Sequence, residues 1–187
     1  MADWVSVTNT YLTLDQMQVN AGIIHEYFTA HGWTTEAVAG MLGNMQSEST
    51  INPDIWQGRS TPDDIYTSEK GYGLTQWTPG SKMITWADEA GLDYKLGDTQ
   101  VARIAYEADN NLQWSTHNFL HYTWQDYIHS TRSPADLARV FLWAYERPSD
   151  PNVALRQEQA EYWYSYLQGR RYPRKKMPVW MMLRKWR

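Results

Sequence analysis

The stretch that decides the fold runs from Thr34 to Thr50 and reads TTEAVAGMLGNMQSEST. Thr34 can cap a helix, and Asn52-Pro53 disfavours helical backbone at Asn52, so the pattern predicts a helix that ends near Ser49. Glu48, three residues after the last apolar position, continues the stripe on the core-facing side. The stripe itself consists of apolar residues spaced three or four apart, namely Val38, Met41, Leu42 and Met45.

Glu48 is therefore an acidic residue at an unusual position. An apolar wall would desolvate its carboxylate, and the negative end of the helix dipole would repel it, so both effects favour the protonated form. A carboxylic acid that keeps its proton near neutral pH is a candidate general acid. The alternative is a carboxylate that extends past the stripe into water or pairs with an arginine or lysine.

The composition indicates one soluble globular domain with a full core. The chain has 187 residues, of which 42% are hydrophobic and 20% charged. No apolar run approaches the roughly 20 residues that span a bilayer, and the first residues, MADWVS, indicate no secretory signal. The absence of cysteine excludes disulfides, thiolate metal sites and a cysteine nucleophile. The 11 Trp and 13 Tyr against 3 Phe suit surfaces that stack on sugars or bases.

The charge is divided unequally along the chain. Residues 170–187 carry eight basic groups and no acid, which leaves 9 basic against 21 acidic residues in 1–169. An acidic body argues against nucleic acid as its partner. The basic, Trp-containing tail is typical of segments that bind anionic surfaces, such as bacterial lipid or wall polymers. A solvated end, a contact with the acidic body and an appended segment are the alternatives.

Helical periodicity recurs along most of the chain. A first helix is expected after Thr13, which forms a capping box with Gln16. Further helices are predicted after Gly80, after a cap at Asp98, over Thr123–His129, after Ser133-Pro134, and from Pro151 or Asn152 to Gly169. Residues 65–78, with Gly71 and Gly73, predict a short β-hairpin, the only plausible strand region. The fold class is thus α+β, mainly α, in the outline of a lysozyme-like fold.

Five motifs in this order carry a family resemblance over roughly residues 5–168. They are GNMQSEST at 43–50, INP at 51–53, GYGLTQWTP at 71–79, FLWAYERP at 141–148 and QAEYW at 159–163. Together they resemble the phage tail lysozyme family, in particular the lysozyme half of tail-knob proteins of small tailed phages of Gram-positive bacteria. Glu48-Ser49 and Gly73-Leu-Thr-Gln76 are similar to elements of the goose-type lysozyme and lytic transglycosylase superfamily.

The resemblance implies cleavage of the β-1,4 bond between N-acetylmuramic acid and N-acetylglucosamine in peptidoglycan, with Glu48 as the general acid. It implies a peptidoglycan-cleaving domain over residues 1–169, followed by the basic tail 170–187. Two alternatives stay open. One is a lytic transglycosylase that forms 1,6-anhydro products, and the other is a virion module that binds glycan without cutting it.

Glycoside hydrolysis commonly uses a second carboxylate as nucleophile or base. Asp63, Asp64 and Glu69 are candidates on the loop and hairpin that follow the Glu48 helix. Glu146 is a further acid, which would pair with Arg147 or cap local structure instead. Some members of the superfamily use a single carboxylate, so a second one is not required.

Substrate-binding candidates lie in two of the motifs and in the loop before the hairpin. Gln76 suits an acetamido group or a water molecule, and Tyr145 resembles the superfamily's tyrosine near the catalytic acid. Trp77, Tyr72 and Trp56 are candidate sugar platforms, with core packing as the alternative.

No metal or other cofactor is expected. His117 and His121 lie four residues apart, but Asn118 stands where a zinc hydrolase would place its glutamate, and no third ligand is evident. The zinc endopeptidase that relatives often carry after a linker is not expected, because no histidine follows His129.

The expected location is either a virion tail, in contact with other tail proteins, or the host cytoplasm before release to the wall, as for an endolysin with antimicrobial action. Peptidoglycan glycan strands are the expected substrate in both cases.

Overall fold

A computed structural model describes residues 3–116, 121–149 and 151–169 of the chain. The predicted basic tail at 170–187 and His117 lie outside these residues. The described chain is mainly helical, as predicted, and none of its helices is long and apolar enough to cross a membrane. The helices are α1 Leu14–Ala30, α2 Thr35–Ser49, α3 Ser81–Glu89, α4 Gly97–Asp109, α5 Trp124–Ile128, α6 Pro134–Phe141 and α7 Val153–Leu167, with a 3-10 turn at Gln57–Arg59 and a π-helical turn at Leu142–Glu146.

Most helices begin directly after the capping residues that the sequence predicts. Thr13 and Gln16 form the predicted capping box of α1, and the Thr34 hydroxyl accepts a hydrogen bond from the Ala37 backbone at the start of α2. The cap predicted at Asp98 is wrong, because α4 begins one residue earlier and Asp98 lies in its first turn. Its carboxylate instead accepts a hydrogen bond of 2.8 Å from the indole nitrogen of Trp4.

The predicted β-hairpin is not confirmed. In its place the chain makes a tight turn from Gly71 to Trp77, closed by one reciprocal pair of backbone hydrogen bonds of 3.1 and 3.0 Å between Tyr72 and Trp77. Gly73 and Gln76 have positive φ angles of 80° and 49°. Two left-handed residues so close together bend the backbone before an extended run can form a ladder.

α2 is the central helix of the molecule. Every residue from Ala37 to Gln46 is buried, because neighbouring helices cover it on all sides. Two glycines of α2 let two neighbouring helices approach it very closely. A Cβ at Gly40 would lie 2.9 Å from the backbone of Ala138 in α6, and one at Gly43 would lie 2.5 Å from the backbone oxygen of Arg156 in α7.

α2 and α6 run in the same direction. Near the start of α2, the Thr34 hydroxyl donates a 2.6 Å hydrogen bond to the backbone oxygen of Ser130, shortly before α6 begins. Further along, the Asn44 amide donates a 3.0 Å hydrogen bond to the backbone oxygen of Ala138. The ends of the two helices therefore point toward one side of the molecule, where α2 carries Glu48 and the π-helical turn after α6 carries Glu146.

Candidate active site

Glu48 lies in the last turn of α2, as predicted, and its carboxylate pairs with an arginine of α7. The distance from Arg156 Nη2 to Glu48 Oε1 is 2.6 Å, and the side chains of Arg156 and Glu48 are 6% and 14% exposed. Glu48 thus forms the ion pair with an arginine that the sequence offered as the alternative to a protonated acid. Both charges are largely removed from water, although solvent still reaches part of the glutamate.

Arg156 is held in place by further hydrogen bonds. Its Nη1 donates to Asn44 Oδ1 over 3.2 Å, and its Nε donates to the backbone oxygen of Pro151 over 3.0 Å. Asn44 in turn donates to the backbone oxygens of Gly40 and Ala138. The network fixes the guanidinium at the junction of α2, α6 and α7, so that Glu48 faces a cation of defined orientation.

Glu146 ends the π-helical turn and contributes a second carboxyl group to this region. Its Oε1 is buried and accepts no hydrogen bond from the described residues. Burial raises the pKa of Glu146 well above its ordinary range, and the negative charge of Glu48 raises it further, whereas the charge of Arg156 acts in the opposite direction. The electrostatics therefore link Glu146 to the pair formed by Glu48 and Arg156.

The turn at Gly71–Trp77 is fastened to the end of α2. The Ser49 hydroxyl, next to the candidate acid, donates a 2.8 Å hydrogen bond to the backbone oxygen of Leu74. The amide nitrogen of Gln76 donates to the backbone oxygens of Ile55 and Gly73 over 3.0 and 3.1 Å. Glu48, Ser49 and the turn thus form one connected region.

Comparison with known proteins places the chain among phage proteins. Residues 19–167 match the family described as phage tail lysozyme. The chain belongs to the phage tail lysozyme family. Over 162 residues it is 47% identical to Morphogenesis protein 1 of Bacillus phage B103. The match covers 87% of this chain but 43% of that protein, so the chain spans less than half the length of the relative.

In this phage tail lysozyme family member, the three acids proposed as a second carboxylate are exposed. Asp64 accepts hydrogen bonds of 2.9 Å from the Tyr66 backbone nitrogen and the Thr67 hydroxyl, which hold its pKa below the ordinary value. Neither Asp63, Asp64 nor Glu69 forms a hydrogen bond or ion pair with Glu48 among the described residues. Their catalytic role stays a prediction.

The aromatic residues proposed as substrate contacts are buried. Tyr72, Trp77 and Trp56 are at most 2% exposed, and the rings of Trp56 and Tyr72 lie 4.7 Å apart. The burial supports the core alternative for these three rings and gives no support to a platform for sugar. Tyr145 is also buried, and its hydroxyl donates a 2.5 Å hydrogen bond to Glu107 Oε2.

Glu107 is a buried acid of this family member that the sequence reasoning missed. It also accepts hydrogen bonds from Trp77 Nε1 over 3.1 Å and from Arg103 Nε over 2.9 Å. Burial raises its pKa, while the donors, Tyr145 first among them, act against that rise. Glu107 thereby joins α4 to the turn and to the π-helical segment.

A metal site is not evident in the described part of the chain, where no three histidines, cysteines or acids are grouped so that they could hold an ion. His121 is exposed there, and its predicted neighbour His117 is outside the described residues.

Proposed function

We propose that the chain is a muramidase, which hydrolyses the β-1,4 bond between N-acetylmuramic acid and N-acetylglucosamine of peptidoglycan with Glu48 as the general acid. The family supports a peptidoglycan-lytic role. The residue assignment is supported by one observation, the place of Glu48 at the end of α2, beside the turn that Ser49 fastens, with 14% of its side chain exposed. A substrate can reach an acid in this position.

The arrangement suits the chemistry of the bond. Glu48 gives a proton to the leaving sugar oxygen, the bond from C1 to that oxygen breaks, and a water molecule adds to C1. Arg156, 2.6 Å from Glu48, stabilises the negative charge that remains on Glu48 after the proton has left. Gln76 remains a proposed substrate contact through its position in the turn fastened to Ser49, whereas the burial of Tyr145 favours core packing, as it does for the other three rings.

A virion location is supported by the name of the relative, Morphogenesis protein 1 of a Bacillus phage. We propose that residues 1–169 open the host wall from the virion and that residues 170–187 contact the anionic envelope. Removing residues 170–187 is expected to leave activity on purified peptidoglycan unchanged and to weaken lysis of intact cells. Unchanged lysis of intact cells would remove the envelope role from the tail.

The test replaces Glu48 with glutamine, which has the same shape but holds no transferable acid proton. Activity on purified peptidoglycan should fall about 10²- to 10⁴-fold, the usual contribution of a general acid. Glu158→Gln makes the same change at an exposed position of α7 and should retain full activity. Equal activity of Glu48→Gln and wild type would refute the assignment.

Two further readouts separate the alternatives. Mass spectrometry of the digest should show reducing muramic acid ends, whereas 1,6-anhydro ends would establish a lytic transglycosylase, in which Glu48 acts first as acid and then as base. Chitooligosaccharide binding by wild type without any cleavage would establish a non-catalytic binding module.

A further inference from the structure

The turn from Gly71 to Trp77 is held by two buried side chains of α4. Gln100 is fully buried, and its Oε1 accepts a 2.9 Å hydrogen bond from the backbone nitrogen of Leu74. Glu107 lies seven residues later on the same face of the helix and accepts the 3.1 Å hydrogen bond from the Trp77 indole. The turn is therefore attached to α4 through its backbone in the middle and through a side chain at its end.

Gln100 also connects the turn to the chain before and after it. Its Nε2 donates to the backbone oxygen of Pro53 over 2.7 Å and to that of Tyr94 over 2.9 Å. Pro53 follows the end of α2, and Tyr94 precedes the start of α4. Because both hydrogens of the amide nitrogen have an acceptor and the amide oxygen has a donor, the orientation of the Gln100 side chain is fixed.

The peptide groups of Leu74 join Gln100 to the end of α2. The N–H of Leu74 donates to Gln100, while its carbonyl oxygen accepts the 2.8 Å hydrogen bond from the hydroxyl of Ser49. Ser49 is the residue next to Glu48. One residue of the turn is thus fixed from α4 and from the last turn of α2, so these two hydrogen bonds hold the turn against the helix that carries the proposed acid.

The proposed substrate contact Gln76 is built on the same part of the turn. Its backbone nitrogen and its side-chain nitrogen both donate to the backbone oxygen of Gly73, each over 3.1 Å. Gly73 in turn packs directly on Gln100, since a Cβ at Gly73 would lie 2.6 Å from Gln100 Oε1. A displacement of Gln100 is therefore transmitted to Gln76 through a single residue.

We infer that Gln100 is a positioning residue of the proposed muramidase, which fixes the turn at Leu74 and so sets the place of Gln76 relative to Glu48. This inference rests on the proposed function of Glu48. Gln100 is fully buried and acts through Leu74, without contact to the glycan. A displacement of about 1 Å in a group that orients a substrate can lower the rate about 10²-fold.

The first test replaces Gln100 with methionine, which has a similar length but no amide. The change removes the acceptor of the Leu74 N–H and the donor of two backbone carbonyls. On soluble peptidoglycan strands, kcat/KM referred to the folded fraction should fall about 10- to 100-fold. The pH profile should keep its shape, because the ion pair of Glu48 with Arg156 is untouched.

The control for a loss of stability alone is Tyr127→Phe. It removes a buried 2.7 Å hydrogen bond from the Tyr127 hydroxyl to the backbone oxygen of Ala37, near the start of α2 and away from the turn. The variant should unfold more easily than wild type, yet its kcat/KM referred to the folded fraction should be unchanged. A purely structural role of Gln100 would give the same result for Gln100→Met.

Gln100→Glu separates positioning from packing, because it keeps the shape of the side chain. The protonated carboxyl can accept the bond from Leu74 and donate to one carbonyl, whereas the ionised form has no hydrogen to donate. Burial favours the protonated form. At about pH 5 this variant should therefore stay within about threefold of wild type in kcat/KM, and it should fall behind as pH rises. Gln100→Met should be impaired to the same degree at every pH.

Ser49→Ala tests the same connection without a change at Gln100. It removes the other hydrogen bond of Leu74 and should lower kcat/KM about 10-fold. Because both side chains act through Leu74, the double variant with Gln100→Met should lose less than the product of the two single losses.

The outcomes keep the two proposals separate. If Glu48→Gln is inactive but Gln100→Met keeps the wild-type kcat/KM, the positioning role is refuted and the proposed function stands. Losses for Gln100→Met and Ser49→Ala that simply multiply refute the common route through Leu74. If Glu48→Gln remains active, the proposed function itself fails, whatever the result for Gln100→Met.

Discussion

Glu107 is buried as a whole residue, whereas Glu146 is half-buried and buries one carboxyl oxygen, and the two acids differ in their hydrogen-bond donors. Glu107 accepts hydrogen bonds from Trp77, Arg103 and Tyr145. Glu146 Oε1 accepts none from the described chain. Burial raises both pKa values, but the donors act against the rise at Glu107, whereas the charge of Glu48 adds to it at Glu146.

The difference separates an acid whose carboxylate is held by several donors from an acid with one buried oxygen that has no donor in the described chain. A carboxylate with several donors contributes to stability and resists change of its protonation state. One without donors gains little from being charged and responds to the charges nearby. The two acids differ both in burial and in their neighbours, and the neighbours explain the opposite contributions to the two pKa values.

The largest loss of stability is expected from Glu107→Leu, which removes the acid that is held by several donors. The substitution leaves the indole of Trp77, the guanidinium of Arg103 and the hydroxyl of Tyr145 without their acceptor, which should cost about 3 to 5 kcal/mol of unfolding free energy. Urea unfolding measures the loss, with Glu89→Leu at an exposed site of α3 as the control. A loss below about 1 kcal/mol would mean that the network does not hold the fold.

Arg156→Met should have the next largest effect. It removes the donor of Glu48, of Asn44 and of the Pro151 backbone oxygen. Because Glu48 is 14% exposed, water offsets part of the cost, and the expected loss is about 2 to 3 kcal/mol.

The control for this variant is Arg132→Met, whose partner Asp136 forms an exposed pair of 3.3 Å. That change should cost little stability, because water and salt screen an exposed ion pair. Combining Arg156→Met with Glu48→Gln should cost less than the sum of the two single changes, because the glutamine leaves no uncompensated charge. Strict additivity would show that the pair is not energetically coupled.

Glu146→Gln should change stability in the opposite sense. The folded-state pKa of Glu146 is raised, so the folded protein binds a proton more tightly than the unfolded chain. Its contribution is fully present below the unfolded pKa of about 4.3 and is lost as pH rises through the folded pKa. The variant lacks this loss and should be more stable than wild type near neutral pH.

Thermal unfolding followed at several pH values between about 4 and 8 measures the difference. Wild type and Glu146→Gln should converge at the acidic end and diverge as pH rises. Parallel curves over the whole range would show that Glu146 ionises as freely in the folded protein as in the unfolded chain.

The smallest effect is expected from Tyr145→Phe. The ring keeps its place against Phe141, whose centroid lies 4.6 Å away, but Glu107 loses one donor. The cost should be about 1 kcal/mol, with the more exposed Tyr106→Phe as the matched control. The pKa of Glu107 should rise further in this variant. An unchanged titration of the Glu107 carboxyl would contradict the hydrogen bond from Tyr145 as the main effect that lowers this pKa.

Much of the fold was predictable from local patterns. The Thr13 capping box and the Thr34 cap both lie where the sequence placed them, because caps and apolar stripes act over a few residues. The prediction of a hairpin was wrong because the residue type of Gln76 does not indicate its positive φ angle. Left-handed backbone at a non-glycine residue depends on tertiary contacts, here the bonds of its amide to Ile55 and Gly73.

The site was only partly predictable. Glu107 lies three residues after Ile104 on the apolar stripe of α4, and Arg156 lies four residues before Ala160 and seven before Trp163 on the buried face of α7, so the rule that singled out Glu48 could have found both. Glu146 could not be found in this way. The π-helical turn, with Arg147 bonded to the Leu142 carbonyl, shifts the register after α6, and a period of 3.6 residues no longer tells which side chains face inward.

Gly43 gives this site an unusual sensitivity to a single methyl group. Since a Cβ there would lie 2.5 Å from the backbone of Arg156, any other residue must push α7 away from α2, and with it the cation from Glu48. Substitutions in an exposed loop, such as the one that contains Asp64, can occur without altering the charges at the site. An alanine at Gly43 would alter them, so the spacing between α2 and α7 limits which residues this position can carry.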